Sequence, residues 1–364
     1  MHLLLIGASN LVIKQGLVSY LESYLSKVAG IDSVTMDNLS IPSAMNMCGL
    51  SYLSRLDSTT NYDHIFVEFA VTDYPIFAHN PQLCQISFEL LLLELQKLYP
   101  NCPKTVLLLG RREKKHHKLQ IGIHKHMRES AAKHGFYTLD INALIKSFIT
   151  PADADGELFR SLYLDGVHYR PPVVTNYIAS VCALHIISKQ KTPLQSVCKE
   201  VPNYRLQTFN FVKDVEGIGL IKPFESSYPQ YNSIARQLTL SQELEFDVPG
   251  LPCGISFIAT TDVASLMLEI NGERSILHTL HRDNPPKGRI KFLVRHNPFF
   301  WMDYSNLNAS IPQKSHIRLR PVQSSDPEWD EAIIRKSFGM VQTKPQNNSA
   351  HVCLLGLDYF VTDH

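Results

Sequence analysis

Apolar residues in the first half of the chain fall into two patterns that alternate. Short unbroken runs at residues 2–6, 33–36, 64–69, 105–109 and 136–139 have the length of strands buried on both faces. Between them lie longer stretches with helical spacing, at residues 15–28, 43–56, 85–99, 118–134 and 171–188. In the first of these, Leu17, Tyr20, Leu21, Tyr24 and Leu25 share one face. Strands alternating with helices of this length predict an α/β unit, a five-stranded parallel sheet with helices on both faces. A turn holding Asp73 and Pro75 is expected after the third strand.

The pattern changes near Lys189. Residues 189–205 are polar and proline-containing and read as a linker between a first domain, 1–188, and a second, 206–364. In the second, short runs at 206–212, 237–240, 244–248, 255–259, 265–270, 290–294, 316–319 and 351–360 alternate partially and are separated by Gly, Pro, Asn and Asp. This predicts an all-β, jelly-roll-like sandwich. A length of 364 residues suits two domains.

Charge excludes one class of partner. With 35 basic and 34 acidic residues the chain has no excess to attract a polyanion, so nucleic acid is not expected. Seven cysteines stand singly, at 48, 84, 102, 182, 198, 253 and 353, without a Cys-x-x-Cys pair. They read as reduced thiols. The amino-terminal apolar run is too short, and lacks a basic flank, for a signal peptide, and no stretch is long enough for a membrane span. Cytoplasmic residence is the expectation, with oligomeric state left open.

Four blocks carry chemistry. Gly7-Ala8-Ser9-Asn10 follows the first strand, Asn38-Leu39-Ser40-Ile41-Pro42-Ser43 the second and Val67-Glu68-Phe69-Ala70-Val71-Thr72-Asp73 the third; Asp165-Gly166-Val167-His168 precedes the last helix. A strand ending in Gly-small-Ser presents a hydroxyl at the carboxyl edge of a parallel sheet, where such sheets bind ligands. A serine hydroxyl needs a base, and the base an orienting carboxylate.

In order and interval these blocks resemble those of the SGNH (GDSL-type) hydrolases, over residues 1–188. The resemblance implies a flavodoxin-like sheet, Ser9 as nucleophile, His168 as general base and Asp165 as its orienter. It also implies an oxyanion hole formed by the Ser9 N–H, a second-block glycine N–H and a third-block asparagine side chain, where each donor is worth about 3 kcal/mol. Here Ser43 stands at the glycine position, with Gly49 nearby, and Thr72 at the asparagine position. Threonine donates one hydrogen bond with a shorter reach.

Asn10 and Asp73, at the ends of the first and third blocks, and Trp301 and Tyr304, in Phe299-Phe300-Trp301-Met302-Asp303-Tyr304, are candidate substrate-binding residues, the last two as a sugar platform. Trp329, between Glu328 and Asp330, is another exposed candidate. The run from Lys114 to Lys118, continuing to His124, Lys125 and His126, reads as a solvated basic face. Two residues turn a helix by about 200°, so His124 and His126 do not share a metal, and no metal site is expected. Asn308-Ala309-Ser310 matches a glycosylation acceptor.

The expected activity is hydrolysis of a small acyl ester, an O-acetyl group on a carbohydrate, with no cofactor. Acyl transfer to a sugar through the same acyl-enzyme, with acetyl-CoA as donor, is the alternative, and an inactive glycan-binding or adaptor protein the third reading.

Overall fold

The computed structural model describes the chain apart from residues 14, 29, 54–55, 57–58, 150–155, 190–201, 226–231, 261–262, 281–291, 308–310, 336–349 and 363–364. Two compact units, Met1–Val201 and Pro202–His364, divide it. Most of the expected linker, Cys198 and the Asn308 acceptor lie outside the described residues.

The first unit is built on five parallel strands: β1 (His2–Gly7), β2 (Thr35–Asn38), β3 (His64–Glu68), β4 (Lys104–Leu108) and β5 (Tyr137–Asp140), in spatial order β2-β1-β3-β4-β5. The three central strands are almost wholly buried. Side chains alternate across a strand, so Leu3 and Leu5 point to one face and meet α1 (Leu17–Leu25) and α8 (Val173–Lys189) through Leu21, Leu25, Ile178 and Cys182. The opposite face receives α2 (Asn46–Tyr52), which crosses at Gly49: a Cβ there would lie 2.6 Å from the Phe69 ring, so only glycine permits this approach. Gly49 is therefore a packing residue.

Several boundaries moved for identifiable reasons. The second helix begins at Asn46 rather than at 43, because Ser43 takes a left-handed conformation (φ 61°). The stretch after β3 is a helix, α3 (Tyr74–His79), with Pro75 in its first turn, where a missing N–H leaves no bond unmade. The next helix, α4 (Pro81–Leu98), starts earlier than expected, capped by Asn80, whose side-chain oxygen accepts from the Leu83 N–H at 2.9 Å. After α5 (His117–Lys133), the short helices α6 (Ile141–Ser147) and α7 (Glu157–Ser161) were too brief to show a period.

His124 and His126 are corrections to the solvated-face reading. Both are buried, His124 with Nε2 3.0 Å from the Leu109 carbonyl and His126 beside the Phe88 ring. Helix α5 packs against β4 and β5 on one side and α3 and α4 on the other, so two faces are covered. Lys115, Lys118 and Lys125 are the exposed residues of that run.

The described residues of the second unit form the strands β6 (Tyr204–Asn210), β7 (Leu220–Phe224), β8 (Ser233–Thr239), β9 (Leu244–Val248), β10 (Leu251–Ala259), β11 (Ser265–Ile270), β12 (Glu273–Leu277), β13 (Leu293–Pro298), β14 (Ser315–Val322), β15 (Ile333–Arg335) and β16 (His351–Thr362). They form two sheets, one in the order β13-β10-β16-β8-β7 with β6 also on β16, the other in the order β15-β12-β11-β14-β9. All described pairings are antiparallel except β12 with β15. Ile255, Phe257 and Leu357 from the first sheet share one core with Leu266, Leu268 and Leu319 from the second, which makes the unit a sandwich. Strands β7, β12 and β15 escaped the sequence reading.

Candidate active site

A strand order of 2-1-3-4-5 reverses direction at β1, so the loops leaving β1 and β3 diverge and open a crevice at their carboxyl ends. Ser9 stands there, in a single 3-10 turn that begins two residues past Gly7. Gly7 is required by its neighbour: a Cβ would fall 2.6 Å from the Glu68 carbonyl oxygen. The turn is tied from below by the Asn38 amide, which donates to the Leu11 carbonyl at 2.8 Å, while the Ile41 N–H donates to the Gly7 carbonyl at 3.1 Å.

The acid-base loop is a tight hairpin. Tyr163 and Tyr169 pair across it, with stacked rings 4.7 Å apart, and the Leu164 N–H donates to the His168 carbonyl at 2.8 Å. Inside this frame Asp165 Oδ1 accepts from the N–H groups of Val167 (2.8 Å) and His168 (2.9 Å), and Oδ2 lies 2.6 Å from His168 Nδ1. The other ring nitrogen, Nε2, lies 2.7 Å from Ser9 Oγ, across 159 positions of sequence.

Burial alone would raise the Asp165 carboxyl, but the hydrogen bonds from the His168 ring and from the two N–H groups outweigh it and hold it below the usual carboxylate range. An ionised Asp165 accepts the hydrogen bond of the Nδ1–H, which leaves Nε2 as the acceptor for the Ser9 hydroxyl. Ser9, His168 and Asp165 are thus in line.

No protein-family model matches the sequence, and no curated protein matches it. Among solved structures, a two-domain esterase (CEX) active on acetylated mannans aligns with 100% of this chain and 92% of its own, with a TM-score of 0.65 at 9% identity. The chain has the fold of that esterase. A structure of the same esterase co-crystallised with mannopentaose gives 0.64 over the same shares at 9% identity. The acetyl xylan esterase AlAXEase aligns with 51% of this chain and 99% of its own at 12% identity and a TM-score of 0.44.

The oxyanion candidates are placed unequally. Ser43 occupies the left-handed region that favours glycine, so the serine keeps the backbone turn of the expected glycine at the expense of strain. Ser43→Val is expected to destabilise the protein by about 1–2 kcal/mol in urea unfolding, whereas Ser43→Gly is expected to cost nothing. Thr72 is half-buried, with its N–H 3.0 Å and its hydroxyl 3.4 Å from the Phe69 carbonyl. At 3.4 Å the hydroxyl bond is long and easily redirected by rotation about χ1.

Three of the substrate-binding candidates are buried. Asp73 is wholly buried and structural: its Oδ1 accepts the Asn46 N–H at 2.8 Å at the start of α2, and burial pushes its pKa well above the usual value. Asn10 is buried, and its amide donates to the Val167 carbonyl at 3.2 Å, which joins the nucleophile turn to the acid-base loop. Tyr304 is buried in the second unit, where its hydroxyl donates to the Phe299 carbonyl at 3.0 Å. Trp301 is half-buried, 5.0 Å from the Phe299 ring with the Arg335 guanidinium 5.0 Å over its own ring. Trp329 is not exposed either; it packs with Met267, Ile276 and Val322.

Other residues of the site carried no sequence signal of their own. They are the two tyrosines of the hairpin and Arg111, whose Nη1 donates to the Val71 carbonyl at 2.9 Å. Among the described residues no group of three or more His, Cys, Asp or Glu is arranged to hold a metal ion. No helix of the described residues is long and apolar enough to cross a membrane.

Proposed function

We propose that the protein is a serine esterase of the SGNH type that removes a small acyl group, here O-acetyl, from a carbohydrate. The observation that carries this reading is the chain from Asp165 through His168 to Ser9, with contacts of 2.6 and 2.7 Å. Ser9 Oγ attacks the ester carbonyl while its proton passes to His168 Nε2. The tetrahedral intermediate collapses, the C–O bond breaks, and the imidazolium returns the proton to the departing sugar hydroxyl. Water then attacks the acetyl carbonyl as the same nitrogen takes its proton, the bond to Ser9 Oγ breaks, and the imidazolium returns the proton to Oγ as acetate leaves. The cycle needs no cofactor; acetyl-CoA enters only where the acyl group is transferred to a sugar instead of to water.

The carbohydrate substrate is supported by the similar structure that is active on acetylated mannans. Incubation with acetylated mannan and xylan oligosaccharides is expected to release acetate and leave the glycan lighter by whole acetyl groups, with Ser9→Ala inert. Acetylated product from acetyl-CoA and bare oligosaccharide, with little free acetate, would replace hydrolysis by transfer. Failure of a fluorophosphonate to label Ser9 would leave a binding protein.

Within this reading Thr72 is the third oxyanion donor, reached by turning its hydroxyl away from Phe69. Thr72→Val is expected to lower kcat by about 10- to 1000-fold with KM nearly intact, and Thr72→Asn to retain or raise kcat. Steady-state kinetics on an acetyl ester reads both; an unchanged kcat in the valine variant would remove Thr72 from the hole.

A further inference from the structure

Three consecutive residues that follow β4 hold both sides of the catalytic crevice. The Gly110 N–H donates to the Tyr169 hydroxyl at 2.7 Å, at the base of the acid-base hairpin. The Arg112 N–H donates to the carbonyl of Gly166, between Asp165 and His168, at 3.0 Å. Between them, the Arg111 backbone is pinned by Gln120 Oε1, which accepts its N–H at 3.0 Å, and the side chain runs the other way. Its Nη1 donates to the Val71 carbonyl at 2.9 Å, and its guanidinium lies 4.7 Å from the Tyr74 ring centre.

The backbone of this segment therefore grips the loop of the base and orienter, while one side chain grips the turn that carries Thr72. That turn is also closed by the N–H groups of Thr72 and Asp73, which donate to the Phe69 carbonyl at 3.0 and 2.9 Å, and is held beyond Thr72, where Asp73 accepts from Asn46. We infer that Arg111 is a positioning residue: its bond to the Val71 carbonyl sets the Thr72 turn at a fixed separation from His168, aligning the oxyanion donors with the triad. The inference rests on the esterase reading above.

The chemistry of the contact suits the task. A charged donor to a carbonyl is stronger than a neutral one, and a planar guanidinium can bond at its edge while it stacks on an aromatic face. An ammonium has no plane to stack on the ring. Burial lowers the pKa of Arg111 from its usual value, but the group stays charged throughout the working range. Tyr74 is braced on its far side by His116, 4.3 Å away, and His116 in turn lies 3.2 Å from Glu113. The need is set by Thr72. A hydroxyl on a short side chain has less reach than an amide, so its turn tolerates less displacement before the donor is lost, and misplacement by about 1 Å can cost 100-fold.

The test uses the full chain with Arg111→Met and Arg111→Lys, p-nitrophenyl acetate turnover, and the second-order rate at which a fluorophosphonate labels Ser9. The phosphonate reads the triad and the oxyanion hole without reference to any natural substrate. Arg111→Met is expected to unfold cooperatively in urea, to keep KM within about 3-fold, and to lose about 30- to 300-fold in both kcat and labelling rate. Arg111→Lys is expected to recover only part of that loss. In Arg111→Ala, guanidinium at concentrations well below denaturing is expected to restore about 10-fold, which a purely structural role would not allow.

A folded Arg111→Met that labels as fast as the wild type overturns the inference while leaving the esterase reading in place. So does a variant whose loss falls in KM alone. If the methionine variant does not fold, Arg111→Lys decides: a kcat equal to wild type overturns the inference, and a loss at unchanged KM supports it. A wild type that does not label at Ser9 overturns both readings together.

Discussion

His168→Ala is expected to lower kcat on an acetyl ester by about a hundred thousand- to a million-fold, and removing Ser9 as well is expected to cost little more. The reason is that the two act as one unit: with Nε2 2.7 Å from Oγ, the imidazole is the group placed to take the proton of Ser9, and a hydroxyl without a base does not attack. What survives is the contribution of the oxyanion donors and of substrate binding. Asp165→Asn should fall between the wild type and this floor.

In that variant the side-chain oxygen stays with the N–H groups of Val167 and His168, so the amide NH2 faces Nδ1. The ring must then accept there and carry its proton on Nε2, the wrong tautomer for receiving one from Ser9. Because half of the Asp165 side chain is exposed, water can restore part of the ring's orientation, and the expected loss is about 100- to 10,000-fold. Steady-state turnover and fluorophosphonate labelling measure all three variants. A His168→Ala protein that keeps more than about 1% of the activity would put the base elsewhere.

The second large effect is on stability, and it comes from Glu68. This carboxyl is wholly buried at the end of β3, in register with Gly7 and beneath the nucleophile turn, and burial raises its pKa to about 7 although the N–H groups of Ala8 and Val71 draw it down. Near pH 4 both the folded and the unfolded chain hold the proton. As the pH rises, the unfolded chain releases it first, from a value near 4.5, while the folded chain keeps it until about 7. The stability that Glu68 contributes is therefore full in acid, falls between these two values, and levels off above about pH 7 having lost about 3 kcal/mol.

Asp73, raised by burial and further by the charge of Glu68, works in the same direction. Glu68→Gln removes the larger part of this dependence. A carboxamide and a protonated carboxyl have nearly the same shape, and each brings a donor into the same buried site, so near pH 4 the variant and the wild type should unfold at similar urea concentrations. At pH 8 the variant is expected to be more stable by about 2–3 kcal/mol. Equal urea midpoints for the two proteins at pH 8 would show that the folded chain ionises Glu68 without penalty.

Much of the architecture was legible because its causes are local. Unbroken apolar runs and helical spacing located the five parallel strands and the main helices of the first unit, and turn residues between short alternating runs marked the second as a β sandwich. The Asp165–His168 pair was legible for the same reason. Three residues within one hairpin are enough to bring the carboxylate to the ring, and the Tyr163 and Tyr169 frame needs only neighbours in sequence. Short elements such as α6, α7, β12 and β15 were missed because a few residues do not complete a period.

What the sequence determined by itself, then, is the set of elements, the chemistry of the four blocks and their order along the chain. Tertiary structure alone decided which polar and aromatic residues meet solvent. Asp73, His124, Tyr304 and Trp329 each carry a polar group that can face solvent, yet all four are buried. It also decided that Arg111 reaches Val71 across two adjacent strands, and that Ser43 holds a glycine's conformation. Burial and long-range hydrogen bonds depend on which surfaces the sheet brings together, and that information is carried by no single stretch of the chain.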